Sequence, residues 1–209
     1  MYNGAMKKIK KEKEKKKKLE SIPKINRRLF KLWSEAVRER AGFKCEYCGI
    51  ENKAVNINGV KTKLDAHHFV SRKVKDMPLK FEIMNGVCAC PICHKWGVPS
   101  FHRDPITTIT WLIKNRPDRY EFVLKNVNFR VSLDNRSVLA SIEKSLQEKK
   151  SLDFVELKRL DGDYQIEMKK KNEEKQAEKD AKQKAANGRG EIGNIVVAAL
   201  ENGPSIDNI

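Results

Sequence analysis

Between Pro23 and Gly42 the apolar side chains recur at helical spacing: Leu29, Leu32, Trp33, Ala36 and Val37 form one stripe, and Arg38 and Arg40 precede the glycine. The pattern predicts an amphipathic helix that stops at Gly42 and lays its stripe, Trp33 included, on a core. Past it, Asn58-Gly59 reads as a hairpin turn before a short strand ending near Phe69. A basic connection over 71–84 leads to a second short strand around 86–89, and a helix is expected from near Pro91. Asp104-Pro105 is an N-cap with proline at the first helical position, and Ile106, Ile109, Leu112 and Ile113 carry an apolar face to Arg116-Pro117. Further helices are expected over 119–124 and about 137–149. From about Asp161 the pattern is lost in a Lys/Glu/Gln-rich run, either one exposed helix or a disordered tail. One late apolar run, Ile195 to Leu200, could dock on the core, meet a partner or do neither.

Composition narrows the picture. With 209 residues, 39% hydrophobic and 34% charged, the chain has room for one real core plus charged appendages. The first twenty residues are lysine-dominated, too polar and too alike in charge to fold alone, and read as a flexible arm, either a DNA tether or a solubilising tail. The formal charge of +16 points to a polyanionic partner, because clustered Lys and Arg release counterions condensed on a phosphate backbone. No apolar run has the ~18 residues of a membrane span, and the lysine-rich start lacks the pattern of a secretory signal. No membrane association and a cytoplasmic location are expected.

The candidate chemistry is concentrated. Five cysteines, an odd number, argue against a disulfide framework. Four of them form two Cys-x-x-Cys pairs, Cys45/Cys48 and Cys90/Cys93, the spacing at which two tight knuckles complete a tetrahedral zinc site. Buried free thiols are the alternative, and the pairing favours zinc. Cys88 is left over, either a small core residue or a substitute ligand. All four histidines fall between positions 67 and 102, as His67, His68, His94 and His102. Two consecutive histidines on a strand face opposite ways, which suits two different roles. Asp65, two residues before His67, shares its face and could orient its imidazole or simply be solvated.

Taken together, Cys-x-x-Cys, then His67-His68-Phe69, then Asn85, then Cys-x-x-Cys-His resembles the HNH endonucleases of the ββα-metal fold. The likeness covers roughly residues 29–113, and the run from His67 to Pro105 further resembles HNH proteins of bacteriophages. It implies an α+β fold with a small zinc-stapled ββα-metal core surrounded by helices and charged extensions. It also implies His68 as general base, His67 and His94 as ligands of a catalytic divalent ion, and Asn85 as the brace of the loop that holds His68. The products implied carry a 5′ phosphate and a 3′ hydroxyl. Chemistry supports these roles separately: an activated water needs a base near neutrality, and the charge gathering on phosphate and leaving oxygen needs a cation. The cysteines would hold structural Zn2+, and the histidines Mg2+, Mn2+ or Ni2+. His102 is a candidate further ligand, but eight residues after His94 and beyond Gly97-Val98-Pro99 it is not one helical turn away.

The expected organisation is an arm over 1–20, an HNH nuclease domain over 21–116, a helical extension over 117–160 and a charged helix or tail over 161–209. Arg72, Lys73 and Lys75 follow the base and are candidates for phosphate contact. The expected activity is metal-dependent hydrolysis of DNA, double-stranded because no aromatic platform for single strands is evident. If the chain is phage-encoded, it would work in the host cytoplasm. A non-catalytic zinc-binding DNA module is the rival, and RNA cleavage shares the chemistry. The four residues His67, His68, Asn85 and His94 speak against a purely structural ribbon, which needs only the cysteines.

Overall fold

The computed structural model describes residues 19–53 and 61–201, with side chains through residue 184. The lysine-rich arm up to residue 18, the Asn58-Gly59 turn and the side chains of the late apolar run lie outside those residues. Among the described residues the chain is α+β and mostly helical, with one small two-stranded sheet. Helix α1 (Ile22–Arg40) leads to strand β1 (Asp65–His68), two short 3-10 turns (Pro78–Phe81 and Ile83–Asn85) and strand β2 (Gly86–Ala89). A single widened, π-type turn (Ile92–Trp96) follows, then helices α2 (Pro105–Asn115), α3 (Pro117–Asn126), α4 (Arg136–Gln147) and α5 (Phe154–Glu201).

Helix α1 forms where its stripe predicts, buries Ile25, Leu29, Trp33, Ala36 and Val37, and packs on both strands and on α4. It ends at Gly42, whose φ of 60° only glycine takes without cost, and the Phe43 N–H returns to the Arg38 carbonyl at 2.9 Å to close the last turn. The strands pair antiparallel, with Asp65 opposite Ala89 and His68 opposite Gly86. Glycine is required at 86: a β-carbon there would strike Val37 and come within 2.9 Å of Trp33 Cζ2, so only a bare backbone lets α1 lie on the sheet.

One buried cluster runs from Ile25 through β2 to Val138, Ile142 and Leu157. The segments 21–116 and 117–160 therefore share a core. Glu82, wholly buried, ties them: its carboxylate accepts from Met84 N at 2.9 Å and from Leu152 N at 2.7 Å. Burial raises its pKa, and those amides work against the rise. Helix α5 is anchored in the core by Leu157 and then leaves the body. Residues 169–184 are all exposed and carry Lys171–Glu167, Lys169–Glu173 and Lys182–Glu178 pairs one turn apart. Of the two readings of the charged run, the exposed helix is the one adopted.

The helix expected near Pro91 is instead the five-residue turn Ile92–Trp96. Its Gly97 N–H bonds the Ile92 carbonyl at 2.8 Å, five residues back, and Pro99 soon after has no N–H to continue a helix.

Candidate metal centre and cleft

The first knuckle is a tight hairpin. Lys44 bridges Glu51, Cys45 N–H donates to the Ile50 carbonyl at 2.8 Å, and Gly49 takes a φ of 77° to turn the chain. The Glu46 N–H bonds the Cys88 carbonyl at 2.9 Å, which fastens this knuckle to β2. The second knuckle begins where β2 ends, and the Cys93 N–H points at Cys90 Sγ, 3.5 Å away. The four sulfurs of Cys45, Cys48, Cys90 and Cys93 come within 4.8 Å of one another, a set that could hold a metal ion such as zinc. Cys48 and Cys90 are 3.8 Å apart, and a tetrahedron with Zn–S bonds of about 2.3 Å has an edge of about 3.8 Å.

The thiols bear the same stamp. Burial and facing sulfurs push Cys93 and Cys48 up, while backbone amides overcome burial to pull Cys45 down. Such a group carries four thiolates together only around a cation. Cys88 is fully buried, stands apart from the cluster, and is raised to about 12 by burial and by Glu46 and Cys45. It is a core residue.

The second centre lies beside the first. The ring nitrogens of His67, His94 and His102 also come within 4.8 Å of one another, and His102 Nε2 lies 3.1 Å from His94 Nε2. His67 reaches this group from β1, His94 from the turn, and His102 from the loop before α2. That loop is folded back on the knuckle: His94 N–H donates to the Cys90 carbonyl at 2.8 Å, Phe101 N–H to Cys93 at 2.9 Å, and His102 N–H to His94 at 3.1 Å. Backbone bonds across the loop, from Phe101 to Cys93 and from His102 to His94, thus close the eight-residue gap.

Asp65 orients an imidazole, but it is that of His94 and not of its strand neighbour His67. His94 Nδ1–H donates to Asp65 Oδ2 at 3.0 Å, which leaves Nε2 as the ring's lone-pair donor toward the cluster. His67 packs on Phe101 instead. Burial, then His94 and His102, pushes His67 down to about 3, and burial lowers His94 against the pull of Asp65. Three imidazoles with converging ring nitrogens are a donor set that suits a divalent ion of the first transition row.

His68 turns the other way, onto α1. Its ring stacks on Trp33 with centroids 3.7 Å apart and planes 13° from parallel, and Phe30 meets it edge-on. His68 Nε2 lies 2.8 Å from the Lys80 carbonyl, which can only accept, so Nε2 carries the hydrogen and Nδ1 is the free base. Burial lowers its pKa to about 4, against the bond to Lys80, so the ring is neutral at pH 7 and its pKa lies below the near-neutral value expected of a base.

The 78–85 segment is the scaffold for this arrangement. Its carbonyls accept from three side chains: Lys80 from His68, Glu82 from Trp33 Nε1 at 2.9 Å, and Leu79 from Asn85 Nδ2 at 3.0 Å. Asn85 also takes Val70 N–H on Oδ1 at 2.8 Å and gives Nδ2–H to the Val70 carbonyl at 3.1 Å. Fully buried, it clamps the loop that leaves His68.

His67, His68, His94 and His102 open on one cleft of about 780 Å³. Arg72, Lys73 and Lys95 line it, and Asp65 is its one acid among the described residues. The Arg72 guanidinium sits 5.6 Å over the Phe30 ring, held at the mouth by a cation–π contact. Lys75 is not part of this wall; it is exposed and pairs with Asp76 at 3.9 Å.

Sequence reasoning missed Glu46 and Arg119. Glu46 accepts Cys88 N–H at 2.8 Å and meets Arg119 and Arg40, each at 3.2 Å. Arg119 is buried, donates to the Gly86 carbonyl at 2.9 Å, and is lowered to about 10 by burial. An x inside Cys-x-x-Cys and an arginine on a short helix give no sign in sequence that they will meet. Against protein-family models, curated proteins and solved structures, the chain has no match. No helix among the described residues is long and apolar enough to cross a membrane.

Proposed function

We propose that this chain is a metal-dependent HNH-type endonuclease that hydrolyses phosphodiester bonds of DNA, with β1, β2 and the turn that follows as a ββα-metal core. The observation that carries the reading is the convergence of three imidazole nitrogens beside a fourth histidine whose Nδ1 is free, in one basic cleft. His68 is the base. Its Nε2 is committed to Lys80 and its plane to Trp33, so Nδ1 takes the proton of a water attacking phosphorus. Asn85 keeps the loop beyond His68 from shifting that ring.

His67, His94 and His102 would hold the divalent ion, with Asp65 fixing His94. When bound, the ion supplies positive charge to the phosphoryl oxygens and the departing 3′ oxygen. An all-nitrogen donor set suits Mn2+ or Ni2+ better than Mg2+, which prefers oxygen. Arg72, Lys73 and Lys95 bring the backbone phosphates in. Cys45, Cys48, Cys90 and Cys93 hold Zn2+ and take no part in the reaction.

The test is plasmid cleavage with and without Mn2+, Ni2+ or Mg2+. His68→Ala should lower the rate by about 10²- to 10⁴-fold while zinc content and DNA binding persist. Undiminished cleavage by that variant would remove His68 from the reaction, and a wild-type protein that binds DNA without ever cutting it would leave a zinc-binding DNA module.

A further inference from the structure

The two clusters are built on one piece of backbone. Cys90 and Cys93 supply half the sulfur site, His94 follows directly, and the carbonyls of Cys90, Cys93 and His94 hold the amides of His94, Phe101 and His102. No regular α-helix or strand contains His94 or His102, so these backbone bonds of the knuckle, with the Asp65 bond to the His94 ring, set the distance between them. Four of the five cysteines are buried and Cys48, at the tip of the first knuckle, is exposed. Its sulfur is 3.8 Å from that of Cys90, across the gap between the knuckles.

We propose that the four-cysteine site is an oxidant-sensitive latch on the three-histidine site: peroxide reaches Cys48, a Cys48–Cys90 disulfide forms, and both ions are lost together. In the first step the Cys48 thiolate attacks hydrogen peroxide, the O–O bond breaks, hydroxide leaves and a sulfenic acid remains. In the second, the Cys90 thiolate attacks the Cys48 sulfur, the S–O bond breaks, a second hydroxide leaves and the S–S bond closes. Two thiolates have lost two electrons and peroxide has gained them. The ion at the cysteines loses two of four ligands, and the turn that aligns His94 and His102 loses its anchor. The bare Cys48 thiol is pushed up, but an ion at the cysteines would keep it a thiolate, and a partly exposed thiolate beside a resolving cysteine is the setting in which redox sensors act.

The latch regulates the site assigned above and rests on its metal assignments, not on nuclease chemistry. The zinc-loaded full chain is treated with hydrogen peroxide; zinc release is followed with a chromogenic chelator, the modified cysteines are mapped by mass spectrometry, and Ni2+ is titrated calorimetrically before and after. Zinc release, a Cys48–Cys90 disulfide and Ni2+ binding weakened at least about tenfold are expected, all reversed by a thiol reductant with Zn2+. Cys48→His keeps a zinc ligand without the exposed thiol. That variant should retain zinc and Ni2+ through the same treatment, and His102→Ala should lose Ni2+ binding yet still release zinc. Zinc release with Ni2+ binding unchanged overturns the coupling, oxidation that spares Cys48 overturns the entry point, and an untreated protein that binds no Ni2+ overturns both. A latch that responds in a protein unable to cut DNA would leave this inference standing and sink the nuclease reading.

Discussion

Gly86 faces His68 across the hairpin, and the space where its side chain would be is filled by α1. Gly86→Ala should cost about 1–3 kcal/mol of stability, since neither Val37 nor Trp33 can move without shifting the helix. Urea unfolding measures the cost, and because Trp33 is the plate on which His68 rests, cleavage should fall with it. Asp65 acts through a single bond. Asp65→Ala should weaken Ni2+ binding about 10- to 100-fold by freeing the His94 ring, while the zinc content stays the same. Calorimetry with Ni2+ beside zinc analysis separates the two, and unchanged Ni2+ affinity would mean that the surrounding packing already fixes His94. At this scale the sequence was least informative. Asp65 and His67 share a strand face, yet the side chain that meets Asp65 belongs to a residue 29 positions on.

Among the elements, α5 has a surface unlike any other. Over 169–184 no apolar stripe exists to bury, so its helical state depends on Lys–Glu pairs one turn apart and on propensity. Each such pair contributes only about 0.2–0.5 kcal/mol. Ala177→Pro, where a proline costs about 3 kcal/mol within a helix, should therefore remove part of the far-UV helical signal and leave the unfolding midpoint of the core where it was. A matching fall in that midpoint would show that α5 supports the body beyond Leu157. The positions of α1, α2 and α4 were legible in advance; Asp104 does take the Thr107 N–H, at 3.0 Å, ahead of Pro105, but of the apolar face read on α2 only Leu112 is buried, and Ile106, Ile109 and Ile113 are exposed. The turn at 92–96 was not. Its sequence has helical character until Gly97 and Pro99 break it, and within five residues it presents Cys93 to the sulfur cluster and His94 to the imidazole cluster.

For the molecule as a whole, the sheet is two strands of four residues and the cysteines are free thiols. Much of what holds the knuckles against β2 is then expected to be the ion at the cysteines, worth about 10–16 kcal/mol for structural zinc in small domains. Removing it with a strong chelator should abolish the cooperative thermal transition, and added Zn2+ should restore it. His102→Ala, which disturbs only the second centre, should keep that transition. Scanning calorimetry of the three samples decides, and a chelated protein that still melts cooperatively would show that the shared core from Ile25 to Leu157 suffices alone.

What the sequence determined by itself is the chemistry available and its rough address: two Cys-x-x-Cys pairs, four histidines within 36 positions, an asparagine and a basic stretch, set among helices whose periodicity can be read directly. Spacing of three or four residues is enforced by local geometry, so knuckles, caps and amphipathic faces are visible along the chain. Only the tertiary structure decided which imidazoles meet. His67, His94 and His102 come from a strand, a turn and a loop, and their meeting depends on backbone bonds between knuckle and loop that no local period encodes. The same holds for His68, whose free nitrogen is decided by a carbonyl twelve residues away and whose plane is decided by a tryptophan on α1.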